Sequence, residues 1–134
     1  MSLKKKILSI SAAALAACAI NVSAFAQLGY FGPTTLHRNS GAATTYELKK
    51  EDNEAAVVNV TSGLSGSYYV TFRVRCYGTN TEATSAKYIY VNGKQSLSYL
   101  TGKSSIGAYY YLKYELPTQS SSVTNTTVSG KWEP

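Results

Sequence analysis

Apolar and polar residues alternate most regularly between residues 68 and 77. One face of this segment carries Tyr68, Val70, Phe72, Val74 and Cys76, and the opposite face carries Tyr69, Thr71, Arg73, Arg75 and Tyr77. A period of two predicts a half-buried β-strand. Residues 108–116 repeat the pattern and predict a second strand. Its inner positions are Tyr110, Leu112, Tyr114 and Leu116.

Further strands are predicted on both sides of these two. Residues 55–61 point Ala56, Val58 and Val60 inward, and residues 122–132 place Thr124, Thr126, Val128, Gly130 and Trp132 on one face. Asn92-Gly93 lies between strand-like runs at 88–91 and 95–100, which predicts a hairpin because both turn residues need positive φ. Short stretches rich in Gly and Ser, such as residues 62–67, predict turns. The expected fold is all-β, an antiparallel β-sandwich or small barrel of about 6–7 strands.

The first 26 residues have a different pattern, which predicts a signal peptide. Lys4, Lys5 and Lys6 precede an uncharged stretch from Ile7 to Ile20. That stretch is shorter than the roughly 20 apolar residues of a transmembrane helix, so no integral membrane span is predicted. Ala24 and Ala26 supply the small side chains that signal peptidase needs. We therefore predict cleavage between Ala26 and Gln27 and secretion from the cell.

A second mode of export would use Cys18. Leu15-Ala16-Ala17-Cys18 is similar to a lipobox, in which the cysteine would be acylated and would anchor the protein to the membrane. The alternative is that Cys18 is a small apolar residue of the signal peptide. The well-formed site before Gln27 favours free secretion over a lipoprotein.

The remaining chain is predicted to form a single domain. Residues 27–42 are poorly patterned, which predicts a mobile N-terminal segment, and residues 43–134 hold the β-domain. Loss of the three N-terminal lysines lowers the net charge from +6 to about +3, so no nucleic-acid partner is expected. Cys76 alone would remain, which excludes an intramolecular disulfide. Its position predicts a buried small side chain, and the alternative is an intermolecular disulfide.

The residues required for common enzyme mechanisms are scarce. His37 is the only histidine and Asp52 the only aspartate. The run Lys49–Glu54 predicts a solvated charged turn. No cluster has the spacing of metal ligands, and no nucleophile elbow or phosphate-binding glycine loop is present. The sequence therefore predicts a protein that is not an enzyme and has no cofactor or metal.

The outward positions of the two clearest strands form a candidate ligand face. Its residues are Tyr69, Arg73, Arg75, Tyr77, Tyr109, Tyr111 and Lys113. They share a solvent face if the two strands pair. Tyrosine beside cations can stack on sugar rings and hold phosphates or carboxylates. The alternative is that the tyrosines only stabilise the sheet through cross-strand pairs. We expect a non-enzymatic binding module at the bacterial cell envelope, whose partner is an anionic cell-wall polymer, a glycan or an envelope protein.

The C-terminus adds a resemblance. Thr126-Thr127-Val128-Ser129-Gly130-Lys131-Trp132-Glu133, after a Tyr-rich strand and a signal peptide, resembles a family of short secreted proteins of unknown function from Gram-positive bacteria. Their chains end on a Val-Ser-Gly-x-Trp-acid pattern, and some are similar in size and layout to bacteriocins of the lactococcin 972 type. The resemblance implies a secreted role in competition or at the envelope and assigns no functional residue. A secreted bacteriocin-like protein is therefore the alternative function.

Overall fold

The computed structural model describes residues 27–39, 41–119 and 123–134. The predicted signal peptide, with Cys18 and Ala26, lies outside the described residues. Seven strands and no helix occur in the described part of the chain. The strands are β1 (Gly29–His37), β2 (Ala43–Thr44), β3 (Leu48–Lys49), β4 (Ala56–Cys76), β5 (Lys87–Leu97), β6 (Tyr109–Glu115) and β7 (Asn125–Glu133).

The strands form one antiparallel, nearly closed barrel-like sheet in which β4 is central. β5 pairs with β4 along one edge. On the other edge, the first half of β4 pairs with β7 and the second half pairs with β6. β1 extends the sheet beyond β7, and β2 and β3 extend it beyond β6. The predicted all-β antiparallel fold of about 6–7 strands is confirmed.

Residues 62–67 do not form the predicted turn between two strands. β4 continues through them, and its pairing with β5 becomes irregular between Val60 and Val70. Gly63 and Gly66 have φ values of 108° and 92°, which side-chain-bearing residues rarely adopt. A Cβ on Gly63 would lie 2.2 Å from the carbonyl oxygen of Thr127. The glycines therefore bend a continuous strand so that it takes part in both halves of the sheet.

The predicted hairpin at Asn92-Gly93 is also wrong, because β5 continues through both residues. Gly93 lies opposite Val60, and the Asn92 side-chain oxygen accepts a hydrogen bond from Leu64 N at 3.1 Å. The chain nevertheless bends sharply here. Lys87 Nζ donates to the Ser96 carbonyl at 2.9 Å, although nine residues of straight strand would span about 30 Å. The two arms of β5 thus approach each other while both pair with β4.

Strand β1 corrects the expectation for residues 27–42, where the pattern predicted a mobile segment. Phe31 and Leu36, both 3% exposed, pack into the core although their odd spacing places them on opposite faces of a regular strand. A shift in the β1–β7 register between Phe31 and Thr34 reconciles the two positions. Because of this irregularity, β1 lacks the strict alternation of apolar and polar residues by which a strand is predicted.

The core confirms the predicted inward positions. Val58, Phe72, Leu112 and Val128 are fully buried, and Trp132 is 1% exposed. The rings of Phe31, Phe72 and Tyr114 pack together with centroids 5.2 to 5.7 Å apart and join β1, β4 and β6. Side chains from both halves of the sheet therefore fill one core.

The charged run after β3 differs from its prediction as a solvated turn. Lys50 is fully buried. Its ammonium donates to the Glu54 carbonyl at 2.6 Å, lies 3.8 Å from Asp52 Oδ1, and sits 4.4 Å from the centre of the Tyr99 ring. These contacts satisfy a charge that would otherwise be costly to bury.

Candidate ligand face

Most of the predicted face comes together through the pairing of β4 with β6. Arg73 lies opposite Lys113 and Arg75 lies opposite Tyr111. One step further along, Tyr77 N donates to the Tyr109 carbonyl at 3.0 Å, so these two residues are also neighbours. The outward side chains of the adjacent strands β4 and β6 thus form one surface. We use the name outer face for this surface together with the outward residues of β5.

Tyr69 lies at the β5 end of the outer face. Its ring centroid is 4.8 Å from that of Tyr88 and 5.2 Å from that of Tyr90. Burial raises the pKa of Tyr69 above its ordinary value, and Tyr88 and Tyr90 add to the shift. Tyr88 and Tyr90 were not among the predicted residues, because the sequence did not show that β5 pairs with β4. Their spacing of two residues was the available signal that they share one face.

The cations of the outer face are largely engaged within the fold. Arg73 is held between two carboxylates, with Glu82 at 2.7 Å and Glu115 at 3.3 Å. Arg75 donates to the Asn80 carbonyl, and Tyr111 donates to the Asn80 side-chain oxygen at 3.2 Å. Neither arginine is therefore arranged as an open anion site, which the sequence alone could not reveal.

The tyrosines are the exposed groups of this surface. Tyr77, Tyr88, Tyr90 and Tyr109 expose between 47% and 61% of their surface, although each belongs to or borders a strand of the sheet. A tyrosine ring offers a broad apolar surface and a hydroxyl that donates and accepts hydrogen bonds. The outer face is therefore aromatic and hydroxyl-rich, with Arg73 paired to two carboxylates and Arg75 bonded to a backbone carbonyl.

A depression of about 340 Å³ lies at the end of the outer face where β4 ends and β6 begins. Its lining combines Tyr77 and Tyr109 with the hydroxyl-bearing Thr79, Thr81 and Ser105 and with Lys103. We call this depression the end pocket. Cys76 also lines it and is half-buried while packing against the core, so it is more accessible than the predicted buried side chain.

The wall of the end pocket is fixed from inside the core. Tyr110, 2% exposed, accepts a hydrogen bond from Ser105 N at 2.9 Å and donates to the Lys103 carbonyl. Lys103 N in turn donates to the Leu100 carbonyl at 3.0 Å. The loop that carries Lys103 is thus held by backbone contacts that do not involve the Lys103 side chain.

Exposed tyrosines occur at a second place, between β1 and β2. Tyr30 is 70% exposed and Tyr46 is 92% exposed beside a depression of about 470 Å³. Lys131 Nζ lies 5.9 Å from the centre of the Tyr30 ring. Tyr30 and Tyr46 line this second depression together, and its lining contains no residue of the outer face. They provide a natural control for tyrosine exposure alone.

Residues 27–39, 41–119 and 123–134 contain no group of three or more His, Cys, Asp and Glu side chains that is placed to hold a metal ion. The same residues contain no apolar helix of membrane-spanning length.

The fold and its surface define a small antiparallel, barrel-like β-domain with a tyrosine-rich outer face. Comparison with protein-family models, with curated proteins and with solved structures finds no match to the chain. The resemblance of residues 126–133 to short secreted Gram-positive proteins therefore stays a prediction.

Proposed function

We propose that the protein is an exported, non-enzymatic binding module that holds glycan chains of the bacterial envelope on its outer face. The observation that carries the proposal is the exposure of Tyr77, Tyr88, Tyr90 and Tyr109 on one side of a three-stranded surface. Burial of such rings against the core would have been the favourable default, since each is a large apolar group. The predicted signal peptide, residues 1–26, supplies the export.

A glycan fits this surface better than a highly charged polymer. The apolar C–H faces of sugar rings match the exposed tyrosine rings, and sugar hydroxyls match the phenolic hydroxyls. Arg73, which the sequence suggested as an anion contact, already has Glu82 and Glu115 as partners. An added anion would have to compete with both carboxylates.

The test is retention on isolated bacterial cell walls across a salt series. Purified protein is mixed with the walls and centrifuged, and the pellet is assayed. Stacking predicts that most of the retention persists at high salt, whereas binding through surface charges alone is lost as salt screens them. The Tyr88→Ala, Tyr109→Ala double variant should lose most of the retention.

Tyr46→Ala is the matched control, because Tyr46 is more exposed than either residue and lines a separate depression that contains no residue of the outer face. Retention unchanged in Tyr46→Ala but lost in the double variant supports the proposal. Equal loss in both variants would overturn the outer face as the binding surface. Retention that vanishes with salt in the parent protein would overturn glycan stacking in favour of an anionic polymer, and absence of retention would overturn the envelope module.

The second candidate is a secreted bacteriocin-like protein. It is favoured by the C-terminal pattern of Val128-Ser129-Gly130-Lys131-Trp132 and by the small, weakly cationic chain. Purified protein would then inhibit growth of related strains. Inhibition that survives the Tyr88→Ala, Tyr109→Ala substitutions would favour this function over glycan binding.

A further inference from the structure

The end pocket differs chemically from the rest of the outer face. Arg73 is paired with two carboxylates and Arg75 donates to the Asn80 carbonyl, whereas Lys103 takes part in none of the ion pairs found among the described residues. No acidic residue belongs to the described lining of the pocket. The pocket therefore has a locally positive potential beside two aromatic rings.

We infer that the end pocket binds a single sugar residue that carries one negative group, with its ring against Tyr77 and Tyr109 and its anion on Lys103. The inference rests on the proposed function and names the part of the glycan that is recognised. The pocket volume of about 340 Å³ lies at the small end of the roughly 300–1,000 Å³ typical of small-ligand sites. It suits one ring and does not suit a long segment.

The polar lining matches a saccharide. Thr79, Thr81 and Ser105 carry hydroxyls that can accept and donate hydrogen bonds, as sugar hydroxyls also do. Thr79 Oγ1 and Thr81 Oγ1 lie 3.0 Å apart and bond to each other, which fixes both groups at the pocket wall. A sugar could use the remaining hydrogen-bonding capacity of these hydroxyls, which a purely apolar ligand could not.

The pocket is formed before a ligand arrives. Tyr110 holds the backbone at Lys103 and Ser105, and Cys76 N donates to the Thr81 carbonyl at 2.8 Å. Both walls are therefore tied to the sheet, which lowers the ordering cost of binding.

Three probes separate the contributions of ring and charge: glucose, glucuronic acid and glucose 6-phosphate. Each is titrated into the purified protein at low salt while backbone amide shifts of Thr81, Gly102 and Ser105 are followed by NMR. We expect one acidic sugar to bind about tenfold more tightly than glucose, which is the worth of a charge-assisted hydrogen bond. Preference for glucuronic acid would assign a carboxylate, and preference for glucose 6-phosphate a phosphate.

Lys103→Gln should remove the acidic preference and leave glucose binding unchanged. The side chain has no ion-pair partner among the described residues, so the substitution should not perturb the fold. Lys94→Gln is the matched control, since it removes the same charge from β5 outside the pocket. Tyr109→Ala should weaken all three probes about tenfold, because the ring contact is common to them.

Equal affinity for all three sugars, or equal loss in Lys103→Gln and Lys94→Gln, would overturn the inference. So would the absence of shifts at Thr81, Gly102 and Ser105. If the protein is still retained on cell walls in that case, and the retention still depends on Tyr88, only the assignment of the end pocket is wrong. If the acidic sugar binds as expected but the protein is not retained on walls, the envelope function fails and the pocket assignment stands.

Discussion

Strand β6 presents the same residue type on both of its sides with opposite roles. Tyr110 and Tyr114 point inward and are 2% and 3% exposed, and both hydroxyls have hydrogen-bond partners. Tyr109 points outward and is 49% exposed. The abundance of tyrosine is therefore not itself evidence of a binding function. Orientation divides the residues into a structural set and a set available to a ligand.

Truncation of a tyrosine to alanine should give the largest difference in stability between the inward and the outward side of β6. Tyr114→Ala removes a ring packed against Phe31 and Phe72 and should lower the free energy of unfolding by about 3–5 kcal/mol. Tyr109→Ala should change it by less than about 0.5 kcal/mol, because the ring is half exposed. Urea denaturation at neutral pH measures both. Comparable losses in the two variants would contradict the division into two sets.

Removal of single hydroxyls gives a smaller difference. Tyr110→Phe deletes the group that bonds Lys103 O and Ser105 N, and should cost about 1–3 kcal/mol because two backbone groups lose a partner. Tyr111→Phe loses only an exposed bond to the Asn80 side chain and should cost a few tenths of a kcal/mol at most. Thermal unfolding of both variants provides the comparison. A Tyr111→Phe loss as large as that of Tyr110→Phe would show that the outer set is also structural.

The effect expected to be smallest near neutral pH concerns Tyr99, which packs against Tyr110 and over which Lys50 lies. Burial lowers the pKa of Lys50 from its ordinary value of 10.5, and Asp52 and Glu54 oppose the shift. The unfolded chain then binds this proton more tightly, so the Lys50 contribution makes stability rise as pH approaches 10.5. Burial also raises the pKa of Tyr99 above its ordinary value of 10.0, and Tyr110 adds to the shift. Above pH 10 the unfolded chain loses the Tyr99 proton first, and stability falls.

Two variants separate these opposing effects. Relative to Lys50→Met, the wild-type protein should gain stability as the pH rises towards about 10.5, the ordinary pKa of lysine. Relative to Tyr99→Phe, it should lose stability above about pH 10, where the free tyrosine ionises. Urea denaturation at a series of pH values measures both differences. Parallel pH profiles for wild type and either variant would contradict the assigned pKa shift.

Local alternation predicted the parts of the fold that are locally determined. The inward residues of β6, such as Leu112, and of β7, such as Val128 and Trp132, are where the pattern placed them. The turn predicted around Gly63 and the hairpin predicted at Asn92-Gly93 were wrong, because residues that readily adopt positive φ occur at bends within a continuous strand as well as at turns. The burial of Lys50 was not predictable locally, because Tyr99, which covers it, is distant in sequence.

The candidate site was likewise predictable only where it depends on local alternation. The alternation placed Arg73, Arg75, Tyr109 and Tyr111 on outward positions, and pairing of β4 with β6 brought them together. The pairing of Arg73 with Glu82 and Glu115 depends on tertiary geometry, as does the contribution of Tyr88 and Tyr90 from β5. Because of these contacts, the outer face offers a ligand mainly exposed tyrosine rings and few free arginine charges.

Strand β1 has its only strand partner, within the described residues, in β7, the last of the described strands. Gly29 lies opposite Trp132, so the first described strand cannot pair until the last one has emerged from the ribosome. Such distant pairing lengthens the loop that must close and slows folding. A chain of this topology emerges from the ribosome without its final sheet, in a form that is still extensible.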